Sequence, residues 1–205
     1  LRTNAQNSKK AVRVVRDASS SSAVPRMEAA VGALLSTMFQ GDDLPYTIIL
    51  AYKPTDANSG FPWSASDTVD SSNIQQVALV RRSGSACSIR KQTTNPATDV
   101  SWGSGHPSGT PRVIAVKHTG IAVSVWDNST AKSVDAQAQN LGAHDNQLIF
   151  RLFGAEGSGS SDPTFSTTNC NLDFYEIVVE STAKADSDVA QALDEIARKW
   201  GITLS

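Results

Sequence analysis

The chain has 205 residues, 40% of them hydrophobic and 19% charged, which suits one β domain with a sizeable core. A formal net charge of -2 implies no general affinity for nucleic acid or a membrane surface, and no apolar run approaches the ~18 residues of a membrane span. The two cysteines, Cys87 and Cys170, read as buried free thiols, or as a disulfide if the fold brings their Cα atoms within about 7 Å, and without a CxxC or a Cys/His cluster a zinc site is not expected.

Residues 1–26 form a basic arm or edge strand, in which Arg2, Lys9, Lys10, Arg13, Arg16 and Arg26 face a single acid, Asp17. No aromatic side chains interleave these charges, so an edge strand or docking arm is the expected role rather than a nucleic-acid grip. Residues 27–205 read as the main domain. Met27 to Gln40 suits a short helix, and "GDDLP" breaks it. "TIILAYKP" has the length and continuous apolar character of a strand buried on both faces. Residues 55–73 read as a long polar loop carrying Phe61, Trp63, Asp67 and Asp70. "IQQVALVRRSG" and "ACSIRKQTT" are two short strands, the second with Cys87, Ile89 and Lys91 on one face and Ser88, Arg90 and Gln92 on the other.

Residues 95–111, rich in Gly, Pro and Ser, read as a second long loop holding Trp102 and His106. The clearest hairpin is "RVIAVKHTGIAVSVWDNST", with Val113, Ala115 and Lys117 on one face of its first strand and a turn at His118-Thr119-Gly120. "NQLIFRL" is a further strand. In "LDFYEIVVE", simple alternation puts Asp173, Tyr175, Ile177 and Val179 on one side and Leu172, Phe174, Glu176 and Val178 on the other.

"SDVAQALDEIARKWGI" is the terminal helix. Val189, Leu193, Ile196 and Trp200 form one apolar stripe, Asp186 or Ser187 is the expected N-cap, Arg198 and Lys199 suit the last turn, and Gly201 is placed to leave the helix with positive φ. About eight to eleven short strands with one helix indicate a sandwich or barrel, and an all-β, two-sheet antiparallel jelly roll is the expected form.

Three segments in order, "GALLSTMFQGDDLPYTIILAYKP", "RVIAVKHTGIAVSVWDNST" and "LDFYEIVVESTAKADSDVAQALDEIARKWGI", resemble the concanavalin A-like, laminin-G-like jelly rolls of bacterial and phage surface proteins. The terminal strand and the helix ending "EIARKWGI" carry most of that likeness. It implies that the last strand returns beside the N-terminal part of the domain and that the helix caps the sandwich. The acids of residues 173–199 then invite the basic arm, with Arg13 and Arg16 near the last strand and helix. The resemblance further implies a non-enzymatic structural or adhesion component of a virion or cell surface, such as a capsid decoration, tail or fibre. Such a component is held by other structural subunits, as a homo-oligomer that is often a trimer, and a surface glycan is a further partner. The alternative is a carbohydrate-binding module of a larger secreted protein, and a glycoside hydrolase is disfavoured.

The residues themselves offer little chemistry. Retaining glycosidases need two carboxylates about 5–5.5 Å apart. The nearest candidates are Glu176 and Glu180, which read as solvated. His106, His118 and His144 fall in loops with no nucleophile in series. "GAEGSGSSD" lacks the Lys-Ser/Thr ending of a phosphate loop. No cofactor is expected. Calcium is the one candidate ion, with Asp127 and Asn128, or Asp67 and Asp70, as oxygen donors. "NST" at 128–130 fits a glycosylation acceptor. Trp63, Trp102, Phe61 and Asp67 are the candidate ligand or subunit contacts, whereas Trp126 and Trp200 are expected in the core.

Overall fold

The computed structural model describes residues 2–14, 27–28, 44–57, 60–66, 76–81, 84–92, 98–103, 105–138, 149–152 and 171–205. In chain order the strands are β1 (Arg2–Gln6), β2 (Lys9–Val14), β3 (Met27–Glu28), β4 (Tyr46–Pro54), β5 (Gly60–Ser66), β6 (Gln76–Arg81) and β7 (Cys87–Gln92). They continue with β8 (Thr98–Trp102), β9 (Arg112–His118), β10 (Ala122–Asp127), β11 (Lys132–Ala138), β12 (Ile149–Leu152) and β13 (Leu172–Glu180), and the helix α1 spans Asp186–Trp200. One sheet has the order β1-β2-β13-β4-β9-β10-β11 and the other β3-β12-β5-β6-β7-β8. Neighbours are antiparallel throughout both sheets. The chain is therefore a two-sheet jelly-roll sandwich with a C-terminal helix.

β4 lies at the centre of the larger sheet, and both of its faces are buried, as its unbroken apolar run requires. Ile48, Leu50 and Tyr52 point between the sheets, where they meet Trp63, Leu79, Ile89, Ile114 and Val125. Ile49 and Ala51 point the other way and, with Val113, Ala115 and Trp126, form the floor on which Val189, Leu193, Ile196 and Trp200 of α1 pack. The helix thus supplies the second cover that a strand apolar on both sides needs.

Three expectations need correction. Met27 and Glu28 are a short strand paired to β12, not the start of a helix. The expected loop at 55–73 contains β5, and the expected loop at 95–111 contains β8. In β5 the proline at position 62 disguises the strand. It is tolerated because the β5–β6 register shifts between Gly60 and Trp63, where no regular ladder bond is demanded of it. β8 is an edge strand paired to β7 alone, and polar residues dominate its sequence.

A bulge decides how α1 is held. Phe174 pairs with Tyr52 but Glu176 with Ala51, so Tyr175 is an extra residue in β13. Simple alternation therefore fails beyond it. Leu172 lies in the inter-sheet core with Phe174, Ile177 and Val179 packed against it, while Tyr175 and Val178 are on the helix side. Tyr175 stacks on Trp200, with ring centroids 4.8 Å apart and an interplanar angle of 14°. Glu176 accepts the Trp200 Nε1–H at 2.8 Å and pairs with Lys199 at 2.8 Å. Both polar and apolar anchors of one indole come from adjacent residues, which a regular strand would send to opposite faces.

The N-terminal arm is the β1–β2 hairpin. Asn7 and Ser8 both have left-handed φ, as a two-residue type I′ turn requires. β2 pairs with β13, so the first and last parts of the fold are neighbours. Arg13 reaches Asp173 with two hydrogen bonds, at 2.5 and 2.7 Å. Arg16 lies outside the described residues. The hairpin turn also caps the helix end: Asn7 Nδ2 donates to the Lys199 carbonyl and Gln6 Nε2 to that of Gly201.

The N-cap of the helix is Ala185, which provides no side-chain cap, so neither Asp186 nor Ser187 plays that part. The Asp186 carboxylate instead pairs with Lys117 and Lys132, whose ammonium groups lie over Trp126. Gly201 has φ 63°, and a Cβ there would lie 3.3 Å from Asn7 Cβ. Gly201→Ala is expected to cost about 1–2 kcal/mol from left-handed strain alone, with crowding of the hairpin turn added. Chemical denaturation of the variant checks this.

Candidate functional site

Trp63 points from β5 into the inter-sheet core, is 0% exposed and stacks on Phe150, with centroids 6.0 Å apart. Trp102 ends β8, is 4% exposed and donates its Nε1–H to Asp127 Oδ2 at 3.0 Å. Neither ring presents a face to a ligand or a second subunit, because each belongs to a strand position facing the opposing sheet. Phe61 lies on β5 by its backbone, its side chain is outside the described residues, and so is Asp67. Trp126 and Trp200 are buried, as expected.

Trp102 belongs to a polar cluster that closes one end of the sandwich. His106, from the β8–β9 loop, sits between Tyr52 and Asp127: Tyr52 Oη is 2.6 Å from Nδ1, and Nε2 is 2.8 Å from Asp127 Oδ2. The neutral ring therefore accepts from the phenol and donates from Nε2. Arg112 donates to Asp127 Oδ1 at 3.1 Å, and Cys87 hydrogen-bonds the ring. Burial works against a charge on both His106 and Asp127. Their mutual hydrogen bond, together with the further hydrogen bonds and charges around them, outweighs it, holding the imidazole above its usual value and the carboxyl below its own. Thiol, imidazole and carboxylate stand in series here, a grouping of the kind that serves nucleophilic catalysis. Cys87 and His106 are fully buried, however, so the group works as a clamp between the sheets.

The other candidates are engaged in structure. Glu176 is held by Lys199 and Trp200, and Glu180 by Lys184 at 3.3 Å. Asn128 adopts φ 53°, its Oδ1 accepts the Val113 N–H, and its Nδ2 donates to Thr203 O. The amide that glycosylation would modify thus ties the C-terminal tail to β9. Cys87 is a free thiol, and Cys170 lies outside the described residues. Among the described residues no group of three potential metal ligands lies together. Asp127 is moreover occupied by Arg112, His106 and Trp102, while Asp67, Asp70, His144 and the segment 154–162 are outside the described residues.

The face of the six-stranded sheet turned away from the core is of a different character. Trp63, Leu79 and Ile89 point inward, so alternation sets the neighbouring strand positions on the opposite face, where Ser64 and Ser88 are themselves buried. Register aligns Glu28, Arg151, Ser64, Ala78, Arg90 and Asp99 in one row across the strands. Three strand steps separate the Arg151 and Arg90 positions, about 14 Å, with small residues between them. Ser88 Oγ donates to Asp99 at 3.3 Å, Asp99 is half-buried, and Ser101 beside it is exposed. The alternation of Ser88, Arg90 and Gln92 is visible in the sequence. Their alignment with Arg151, distant along the chain, is not.

No family model and no curated protein matches the sequence. Solved structures do match its fold. The CBM40 of the Ruminococcus gnavus IT-sialidase, bound to alpha2,6 sialyllactose, superposes with a TM-score of 0.63 at 11% identity, covering 90% of this chain and 96% of that one. The binding domain of Paraclostridial Mosquitocidal Protein 1 gives 0.62 at 14% identity, over 98% of this chain and 48% of that one. A K499G mutant of NanB sialidase from Streptococcus pneumoniae gives 0.62 at 11% identity, over 88% of this chain but 27% of that one. At these identities the likeness shows the fold.

Proposed function

We propose that the chain is a non-catalytic carbohydrate-binding module acting outside the cell, and that its ligands are acidic glycans bound across the outer face of the six-stranded sheet. The observation that carries this reading is the row in which Arg151 and Arg90 flank Ser64 and Ala78. A guanidinium binds a sugar carboxylate through paired, charge-assisted hydrogen bonds, so the two arginine positions are the ones assigned to the acidic group. The fold likeness supports it, since the chain is coextensive with a module bound to sialyllactose. The NanB match favours a module over an enzyme, because it involves about a quarter of that sialidase. The virion component, first expected from the sequence, finds no counterpart in these similar structures. Among the described residues no helix is long and apolar enough to cross a membrane.

Calorimetric titration with sialyllactose and with lactose tests the proposal. Binding of the acidic sugar alone is expected, with Arg90→Ala and Arg151→Ala each weakening it about tenfold or more, since a hydrogen bond to a charged group contributes about 1.5–3 kcal/mol. Equal binding of both sugars, no binding of either, or wild-type affinity in both variants would overturn it.

A further inference from the structure

His106 stands apart from the proposed glycan face. Residues 107–110 are exposed, yet the loop that carries them is pinned by a buried side chain. A second tie, Gly109 N–H to the Pro54 carbonyl at 2.7 Å, fixes the far side of the loop to β4. Through Asp127 the imidazole also shares its anchor with Trp102, so the end of edge strand β8 and the loop after it hang from one carboxylate on the opposing sheet.

We propose that His106 is a pH-sensitive latch: gain of a proton on Nδ1 turns its hydrogen bond to Asp127 into a buried ion pair, which tightens the 105–111 loop and the end of β8 onto β10. The groups facing the ring are Tyr52 from β4, Cys87 from β7, Arg112 from β9 and Asp127 from β10. Tyr52 serves both states, donating to the neutral ring and accepting from the charged one. Arg112 opposes a second positive charge, but it is spent on the other oxygen of Asp127, and burial also opposes it. The hydrogen bonds to Asp127 and Cys87 and the charge of Asp127 outweigh both, and the ring is held above its ordinary value of 6.5. A group whose value is raised in the folded state stabilises that state fully below 6.5 and ceases to do so as pH rises through the raised value. Asp127 is held below its ordinary 3.8, so its contribution fails only on stronger acidification. The latch is thus closed in mildly acidic solution and loosens at alkaline pH.

The test is amide hydrogen exchange of residues 105–111 at pH 5.5 and 8.5, corrected for intrinsic rates, together with an NMR titration of the His106 ring. Protection is expected to fall between the two conditions by up to about tenfold for each unit by which the ring titrates above 6.5. His106→Gln keeps a donor and an acceptor but cannot gain the proton, so its loop protection is expected to be the same at both values. A ring titrating at or below 6.5, or equal protection in the wild-type protein, would sink the latch. If the variant does not fold, these two wild-type measurements still decide the matter.

Discussion

Trp63→Ala is expected to lower the stability of the fold by about 3–5 kcal/mol, the range for removing a large aromatic side chain from a packed core. The indole is wholly enclosed between the sheets and stacks on Phe150 of β12, the neighbouring strand, so its loss opens a void that regular strands on both sides cannot collapse to fill. Trp63→Phe, which keeps most of the volume, is expected to fold and to bind any glycan as the wild type does. Denaturant unfolding reads the first variant and calorimetric titration the second. Retained folding with lost binding in Trp63→Phe would restore this tryptophan as a sugar platform.

The second large effect is expected at Arg13. Asp173 is 0% exposed, and its carboxylate is satisfied by the Arg13 fork, with Lys53 at a longer 3.8 Å. Removing one partner of a buried ion pair costs about 3–5 kcal/mol, because the other charge remains buried. Arg13 itself is 37% exposed and Lys53 stays, so Arg13→Ala is expected to fall nearer 2–3 kcal/mol. Most of that loss should vanish when Asp173→Asn is added, since the uncompensated charge goes with it. A double-mutant cycle measured by denaturation checks the coupling, and additive losses would mean that the pair is decorative. This pair also fulfils the expectation that the basic arm meets the acids of the last strand.

Much of the candidate site was hidden for one physical reason: its parts are polar or small, and polarity in a strand looks like a loop. β8 reads as turn chemistry because it is an edge strand with an outer row of Asp99 and Ser101. β5 reads the same way because Pro62 and two serines surround Trp63 and Ala65, the two residues that do the packing. The Arg151–Arg90 row needs β12 and β7 brought to either side of β5 and β6, which is a matter of topology. His106 carries no local signal at all, since Tyr52, Cys87 and Asp127 come from three separate strands.

The sequence by itself determined what depends on neighbours along the chain. Period-3.6 spacing and Gly201 define α1 and its exit, and the continuous apolar run of β4 announces a strand covered on both faces. The alternation and turn of β9 and β10 set their pairing, and one helix with one apolar stripe demands a sheet to lie on. Tertiary structure decided the rest. The bulge at Tyr175 appears only when β13 is laid against β4, and it turns both Tyr175 and Glu176 toward Trp200. The burial of Trp63 and Trp102 and the closing of the sandwich end by His106 and Asp127 arise between residues far apart in the chain. Such contacts are chosen by packing and by the need to satisfy buried polar groups, and neither leaves a period in the sequence.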